Sequence, residues 1–258
     1  MRLDSITWPQ AEAYFKEHDT VIVPLGSTEC HGRHMPLGTD TMIPNKIVEI
    51  LESKTDALIA PTMPYGNTDY LSAFPGTISL GTDVLYQVMY QILEGLRKHG
   101  ARRFVIVNGH GGNNAVLDRL SLEFDKKGCV VAQMNWWVMV WNLVPGWDGS
   151  FPWHGGHGGG EETAAMMAVN EDLIDRSAIC DSNLKQLSDE LPFSGLASVR
   201  FKGLDIPMRR FSTEVTDNGW VGEDHPSVAT KEWGESMINA AADYIAEFIE
   251  ALKKVKLD

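Results

Sequence analysis

The run Phe104-Val105-Ile106-Val107-Asn108 constrains the fold more than any other part of the chain. It is apolar and β-branched, and it breaks into Gly109-His110-Gly111-Gly112 ahead of a helical stretch reaching about residue 127. A buried strand that turns on glycines into a helix is half of a βαβ unit. The same pattern recurs on either side. Thr20-Val21-Ile22-Val23-Pro24-Leu25-Gly26 reads as a first strand, residues 43–53 as a helix, and Ala57-Leu58-Ile59-Ala60 as a second strand stopped by Pro61 and Pro64. Val84, Leu85, Val88, Met89, Ile92, Leu93 and Leu96 recur at helical spacing before Gly100, and Val130-Val131-Ala132-Gln133-Met134 supplies a fourth strand. Parallel neighbours need crossover connections, so this alternation predicts a doubly wound α/β fold with a mainly parallel sheet.

Residues 141–160 are rich in Gly, Trp and Pro, the composition of a binding loop or lid, and residues 161–170 turn helical. Residues 194–222 carry glycines and short apolar runs and read as loops or a small hairpin. Met237, Ala241, Tyr244, Ile245, Phe248, Ile249 and Leu252 mark an amphipathic terminal helix. With no repeat or linker, the 258 residues read as one domain. A net charge of −13 without a basic stripe argues against nucleic-acid binding. Cys30, Cys129 and Cys180 are scattered and odd in number, which suits a reducing cytoplasm rather than a disulfide framework. Residues 1–10 lack the apolar core of a signal peptide and no segment has the apolar length of a membrane span, so a soluble cytoplasmic protein is expected.

Ligands of open α/β sheets bind beyond the carboxyl ends of the strands, and the acids and imidazoles of this chain gather there. Glu29, His31 and Asp40 follow the first strand, His110 the third, and His154, His157, Glu161 and Glu162 the fourth. Glu29 and His31, two apart in extended chain, point the same way. Asp40 precedes a helix, where its carboxylate could equally cap the first turn. The glycines around His110 let the backbone bring an imidazole close to a ligand. A phosphate cradle is the alternative there, without the Lys of a P-loop or the spacing of a dinucleotide fingerprint. Of Glu161 and Glu162, one can simply complement the helix dipole while the other is a candidate ligand. Imidazoles with carboxylates suit Zn²⁺ or Mn²⁺, with Fe²⁺ also compatible. Five candidates exceed what one catalytic zinc takes, and a bridging carboxylate such as Asp40 makes two ions the economical reading. Such a pair lowers the pKa of a trapped water and polarises a carbonyl, the chemistry of amide hydrolysis.

These motifs resemble those of the creatininase (creatinine amidohydrolase) family. Glu29-Cys30-His31-Gly32 is similar to its E-x-H-G, Leu37-Gly38-Thr39-Asp40-Thr41 to its aspartate motif, and Asn108-Gly109-His110-Gly111-Gly112-Asn113 to its N-G-H-G-G-N. Phe74-Pro75-Gly76-Thr77, His157 to Glu162-Thr163, and the turn from Gly222 to Pro226 match further family segments. The resemblance implies a three-layer αβα sandwich and two divalent ions held by Glu29, His31, Asp40, His110 and Glu162, with Asp40 bridging. It also implies proton transfer by His157, Trp137 and Trp153 covering a bound ring, and a homo-oligomer, often a hexamer. Creatininase carries a tyrosine and a metal-binding glutamate directly after its N-G-H histidine, where this chain has Gly111 and Gly112. Other members sharing N-G-H-G-G-N are deformylases of pyrimidine intermediates and a peptidase of redox-cofactor maturation.

The expected reaction is attack of a metal-bridging hydroxide on a small cyclic amide such as creatinine or a related lactam, with Glu162 at the reacting centre and His157 protonating the departing nitrogen. Deformylation of a formamide and peptide cleavage are the alternatives within the family. A metal- or ligand-binding module without turnover is the non-enzymatic rival. A nucleotide-binding oxidoreductase lacks its G-x-G-x-x-G after the first strand. Trp136, Trp137, Trp141, Trp147 and Trp153 could close over a flat ring or line a subunit interface. His34 reads as a loop histidine or one standing behind the ligands, and Cys30 as a thiol without a base partner.

Overall fold

Alternation along two central strands decides the layering. In β1 (Thr20–Leu25), Ile22 joins one core while Val21, Val23 and Leu25 join the other. In β3 (Arg103–Asn108), Val105 and Val107 side with Ile22, and Phe104 and Ile106 with the opposite set. The computed structural model describes residues 1–143 and 155–257, the side chains of residues 141–143 excepted. β1 and β3 pair in parallel from Thr20 opposite Arg103 to Leu25 opposite Asn108. β2 (Leu58–Ile59) flanks β1 and β4 (Val130–Asn135) flanks β3, giving a parallel sheet in the order β2-β1-β3-β4. One face is covered by α2 (Thr39–Leu51), α6 (Gly160–Asn170) and α7 (Lys231–Leu252). The other is covered by α3 (Gly81–His99) and α4 (Asn114–Asp125), with Tyr14 of α1 (Trp8–Glu17) beside them. Both faces of β1 and β3 are therefore dry, and the expected αβα layering is present. Among the described residues no helix is long and apolar enough to cross a membrane.

The helices α6 and α7 pack so tightly that a Cβ added at Gly234 would fall on the backbone carbonyl of Ala164. Gly234→Ala therefore forces α7 away from α6, and overpacking of this kind costs about 1–3 kcal/mol against a helix-propensity gain of roughly 1 kcal/mol. The expected result is a thermal midpoint lowered by several degrees. An unchanged or higher midpoint in a melting curve would show that the two helices have room to spare.

Two expectations need correction. The first helix after β1 begins at Thr39 rather than near residue 43, with Gly38 as its N-cap, so Asp40 lies inside the first turn and does not cap it. Residues 186–207 form a four-stranded antiparallel sheet, β6 (Gln186–Ser188), β7 (Leu191–Gly195), β8 (Ser198–Phe201) and β9 (Leu204–Pro207), where loops or one small hairpin are expected from residue 194 onward. Its apolar support is slight, since Phe193, Val199 and Val215 form its buried cluster. The β8–β9 turn uses Lys202 and Gly203 at positive φ, a hairpin geometry that Asn-Gly advertises far more clearly than Lys-Gly.

Candidate metal centre

Every predicted ligand is delivered by the carboxyl edge of the parallel sheet or by a segment folded over it. Glu29 and His31 leave the turn after β1, and their loop is pinned where the Cys30 N–H donates to Thr77 Oγ1 at 3.1 Å, which gives the Phe74-Pro75-Gly76-Thr77 segment its role. Asp40 projects from the first turn of α2. His110 follows β3, its turn clamped by Asn113 Nδ2, which donates to Gly26 O and Asn108 Oδ1 at 3.1 Å each. His157 sits in β5 (Gly156–His157), paired with β10 (Val221–Gly222) in an antiparallel ribbon. Glu162 opens α6, whose Gly160 N–H is received by the Asp224 carbonyl in the turn from Gly222 to Pro226.

These residues converge on two donor sets that share one aspartate. Glu29, Asp40 and His110 form the first, and His31, Asp40 and Glu162 the second; within each, the donor atoms lie within 4.8 Å of one another. Asp40 divides its oxygens between them: Oδ2 lies 3.0 Å from His110 Nδ1, and Oδ1 lies 2.9 Å from His31 Nε2. Glu29 Oε1 approaches His110 Nδ1 at 3.1 Å, and Glu162 Oε2 approaches His31 Nε2 at 3.5 Å. Glu29, His31 and His157 make a further group of the same compactness.

The second nitrogen of each imidazole fixes its tautomer. His31 Nδ1 meets the Glu29 carbonyl at 3.2 Å, His110 Nε2 the Asn67 carbonyl at 3.0 Å, and His157 Nε2 the Cys30 carbonyl at 2.6 Å. Each of those nitrogens must donate, which leaves the opposite nitrogen to face the carboxylates. Glu29 Oε1, His31 Nε2 and Asp40 Oδ2 are all buried without a hydrogen bond, despite their short approaches. Two buried carboxylates and the part-buried Glu162 against imidazole lone pairs are untenable unless protons or metal cations lie between them. The donor set therefore fits Zn²⁺ or Mn²⁺.

The electrostatics express the same need. Burial opposes a charge on His31, yet Asp40, Glu162 and Glu29 outweigh it and raise its pKa to about 10. His110 also rises, Glu29 overcoming its burial. Burial pushes Glu162 up to about 7, with His31 pulling the other way. His157 behaves oppositely: burial and then His31 lower it to about 3, so its ring is neutral. Its Nδ1 faces Glu29 Oε1 at 3.7 Å, and its ring lies 4.3 Å from that of His31.

A cleft of about 300 Å³ opens over this centre, lined by His110, His157, Glu162, Trp137 and Tyr70. Trp137 thus reaches the cleft, whereas Trp136 fits neither role considered for it: it is buried in the core under α6 and α7. Trp153, Trp147 and the Trp141 side chain, like His154, lie outside the described residues. Glu161 is buried beside Glu162, but it belongs to neither donor set. His34 is no plain loop histidine, since it is buried with Nε2 3.0 Å from Thr163 Oγ1 on the helix that carries Glu162. Burial raises the Cys30 thiol to about 11, which removes it as a nucleophile. Tyr70, whose ring stacks at 6.2 Å on His110, was invisible to sequence reasoning because a lone tyrosine in a polar loop follows no periodicity.

Residues 4–249 match the family model described as creatinine amidohydrolase. The chain belongs to the creatininase family. Its relatives include the creatinine amidohydrolase of Pseudomonas putida, 29% identical over 195 residues that span 68% of this chain and 74% of that protein. The mycofactocin precursor peptide peptidase of Mycolicibacterium smegmatis is 29% identical over 87% of this chain and 83% of its own. A 2-amino-5-formylamino-6-ribosylaminopyrimidin-4(3H)-one 5'-monophosphate deformylase of Methanococcus maripaludis is 26% identical, with 93% of each chain covered. A solved structure, Creatininase Mn, superposes with a TM-score of 0.71 at 25% identity, covering 98% of this chain and 99% of the other. This creatininase-family chain therefore has hydrolases as relatives, and they differ in what they cleave.

Proposed function

We propose that this chain is a metal-dependent amidohydrolase, a single catalytic domain that opens a C–N amide bond with two divalent ions held by Glu29, His31, Asp40, His110 and Glu162. The sharing of Asp40 between two compact donor sets carries this reading. Ions so held lower the pKa of water and polarise a carbonyl. His157 handles the proton. Its Nε2–H is committed to the Cys30 carbonyl, which leaves Nδ1, facing Glu29 Oε1, as the atom that passes a proton to the departing nitrogen. Trp137 borders the cleft, and by analogy with the family Trp137 and Trp153 cover a flat ring. The substrate is a small cyclic amide such as creatinine or a related lactam, met in the cytoplasm by a homo-oligomer.

One observation favours a second reading within the same chemistry. Glycines at 111 and 112 stand where creatininase has a tyrosine and a metal-binding glutamate, which suits a larger amide: a formamide of a pyrimidine intermediate or a peptide. The test is elemental analysis of purified protein followed by a hydrolysis screen over creatinine, lactams, formamides and short peptides with Zn²⁺ and Mn²⁺. Two ions per chain and chelator-sensitive release of amine or acid are expected. Metal-free protein that turns over the same amide at the same rate would refute the assignment.

A further inference from the structure

Two cavities meet beside His110. The metal cleft shares Tyr70 and Gly111 with a larger pocket of about 830 Å³, which includes no metal-donor residue and is lined also by Asn67, Thr82 and Arg209. Gly111, which has no side chain, lines both of them. At Gly112 an added Cβ would strike the Asn67 carbonyl and His110 Nε2, so glycine is compulsory there. Gly111 is under no such demand: its φ is not positive, and a Cβ would meet nothing nearer than Trp137 Cζ2 at 3.8 Å. A glycine that the backbone does not require leaves the passage open.

Arg209 borders the larger pocket alone and stands over the tyrosine that both cavities share. Its guanidinium carbon stands 5.1 Å from the Tyr70 ring centroid, and among the described residues no carboxylate pairs with it. The neighbouring charges of the pocket are largely engaged: Arg210 pairs with Glu214, and Asp69 accepts from Ser79 Oγ at 2.6 Å, leaving Asp118 as the other acid of the wall. An exposed guanidinium over an aromatic ring, with no carboxylate partner among the described residues, keeps its forked donors available for an oxyanion. In a chain of net charge −13, such a localised cation selects against the general repulsion of anions.

We propose that the larger pocket is the distal half of the substrate site, and that the natural substrate is an amide whose arm passes over Gly111 and ends in an oxyanion at Arg209. This rests on the amidohydrolase reading above, and the probes separate the two. Metal-loaded protein is titrated calorimetrically with acetohydroxamate, with octanohydroxamate, and with eight-carbon hydroxamates ending in carboxylate or phosphonate. The oxyanion-ended arms should bind about tenfold more tightly than octanohydroxamate, an advantage that shrinks with added salt and falls close to unity in Arg209→Gln. The stronger of the two oxyanions identifies its source as a carboxylate or a phosphate. Acetohydroxamate binding with no oxyanion advantage in the wild-type protein overturns the distal site while sparing the metal reading. No hydroxamate binding at all removes the metal reading itself. An advantage that persists unchanged in Arg209→Gln places the anion elsewhere and also overturns the proposal.

Discussion

Replacing Asp40 with asparagine is expected to strip both metal ions at once and to lower turnover by about a thousandfold or more. The effect follows from position, because one carboxylate supplies Oδ2 toward His110 and Oδ1 toward His31. An amide nitrogen in place of either oxygen is a donor where a lone pair is needed. Glu162→Gln should act differently, since Glu162 belongs to a single donor set. It should abolish turnover while one ion is retained. Elemental analysis beside rate measurements on both variants decides the matter; Asp40→Asn protein with a full metal complement and an undiminished rate would remove Asp40 from the site.

The second large effect concerns the metal-free protein, which should lose stability steadily as pH rises from about 7 to about 10. His31 has a folded pKa of about 10 against 6.5 for the free side chain, so the stability it contributes is complete below 6.5 and gone above 10. Glu162, raised from 4.5 to about 7, adds a loss of the same sign that is finished near neutrality. His157 and His34 titrate the other way, falling from 6.5 to about 3 and about 4 through burial and then the neighbouring His31, so they add stability only as pH rises towards 6.5. His110, also raised well above 6.5, adds a loss of the same sign, so above neutrality these two imidazoles set the trend, and the fall is on the order of a few kcal/mol. Added Zn²⁺ or Mn²⁺ takes the place of the lost proton and should flatten the dependence. Melting curves with chelator and with metal between pH 7 and 9.5 read this directly, and a chelated protein that grows more stable on the alkaline side would contradict it.

Much of this was legible in the sequence because periodicity and edge position are local. β1, β3 and α3 announce themselves through β-branched runs and helical spacing, and the ligands through their places just after strands. The role of Asp40 required tertiary structure, since the turn that would have made it a cap begins at Gly38 instead. Trp136 and Trp137 look equivalent in sequence, yet successive residues at the head of α5 (Trp136–Leu143) diverge by about 100° around a helix, which sends one to the core and the other to the cleft. The antiparallel sheet was hidden because most of its residues are exposed, leaving no apolar alternation to read.

The ion-binding groups are anchored to the rim of the parallel strands and the first turns of α2 and α6, whereas Trp137, Tyr70 and Arg209 are carried by other segments. Reactivity and selectivity thus reside in separable parts. A lineage built on this plan could exchange what it digests by rewriting its periphery, and its hydrolytic engine would be inherited intact.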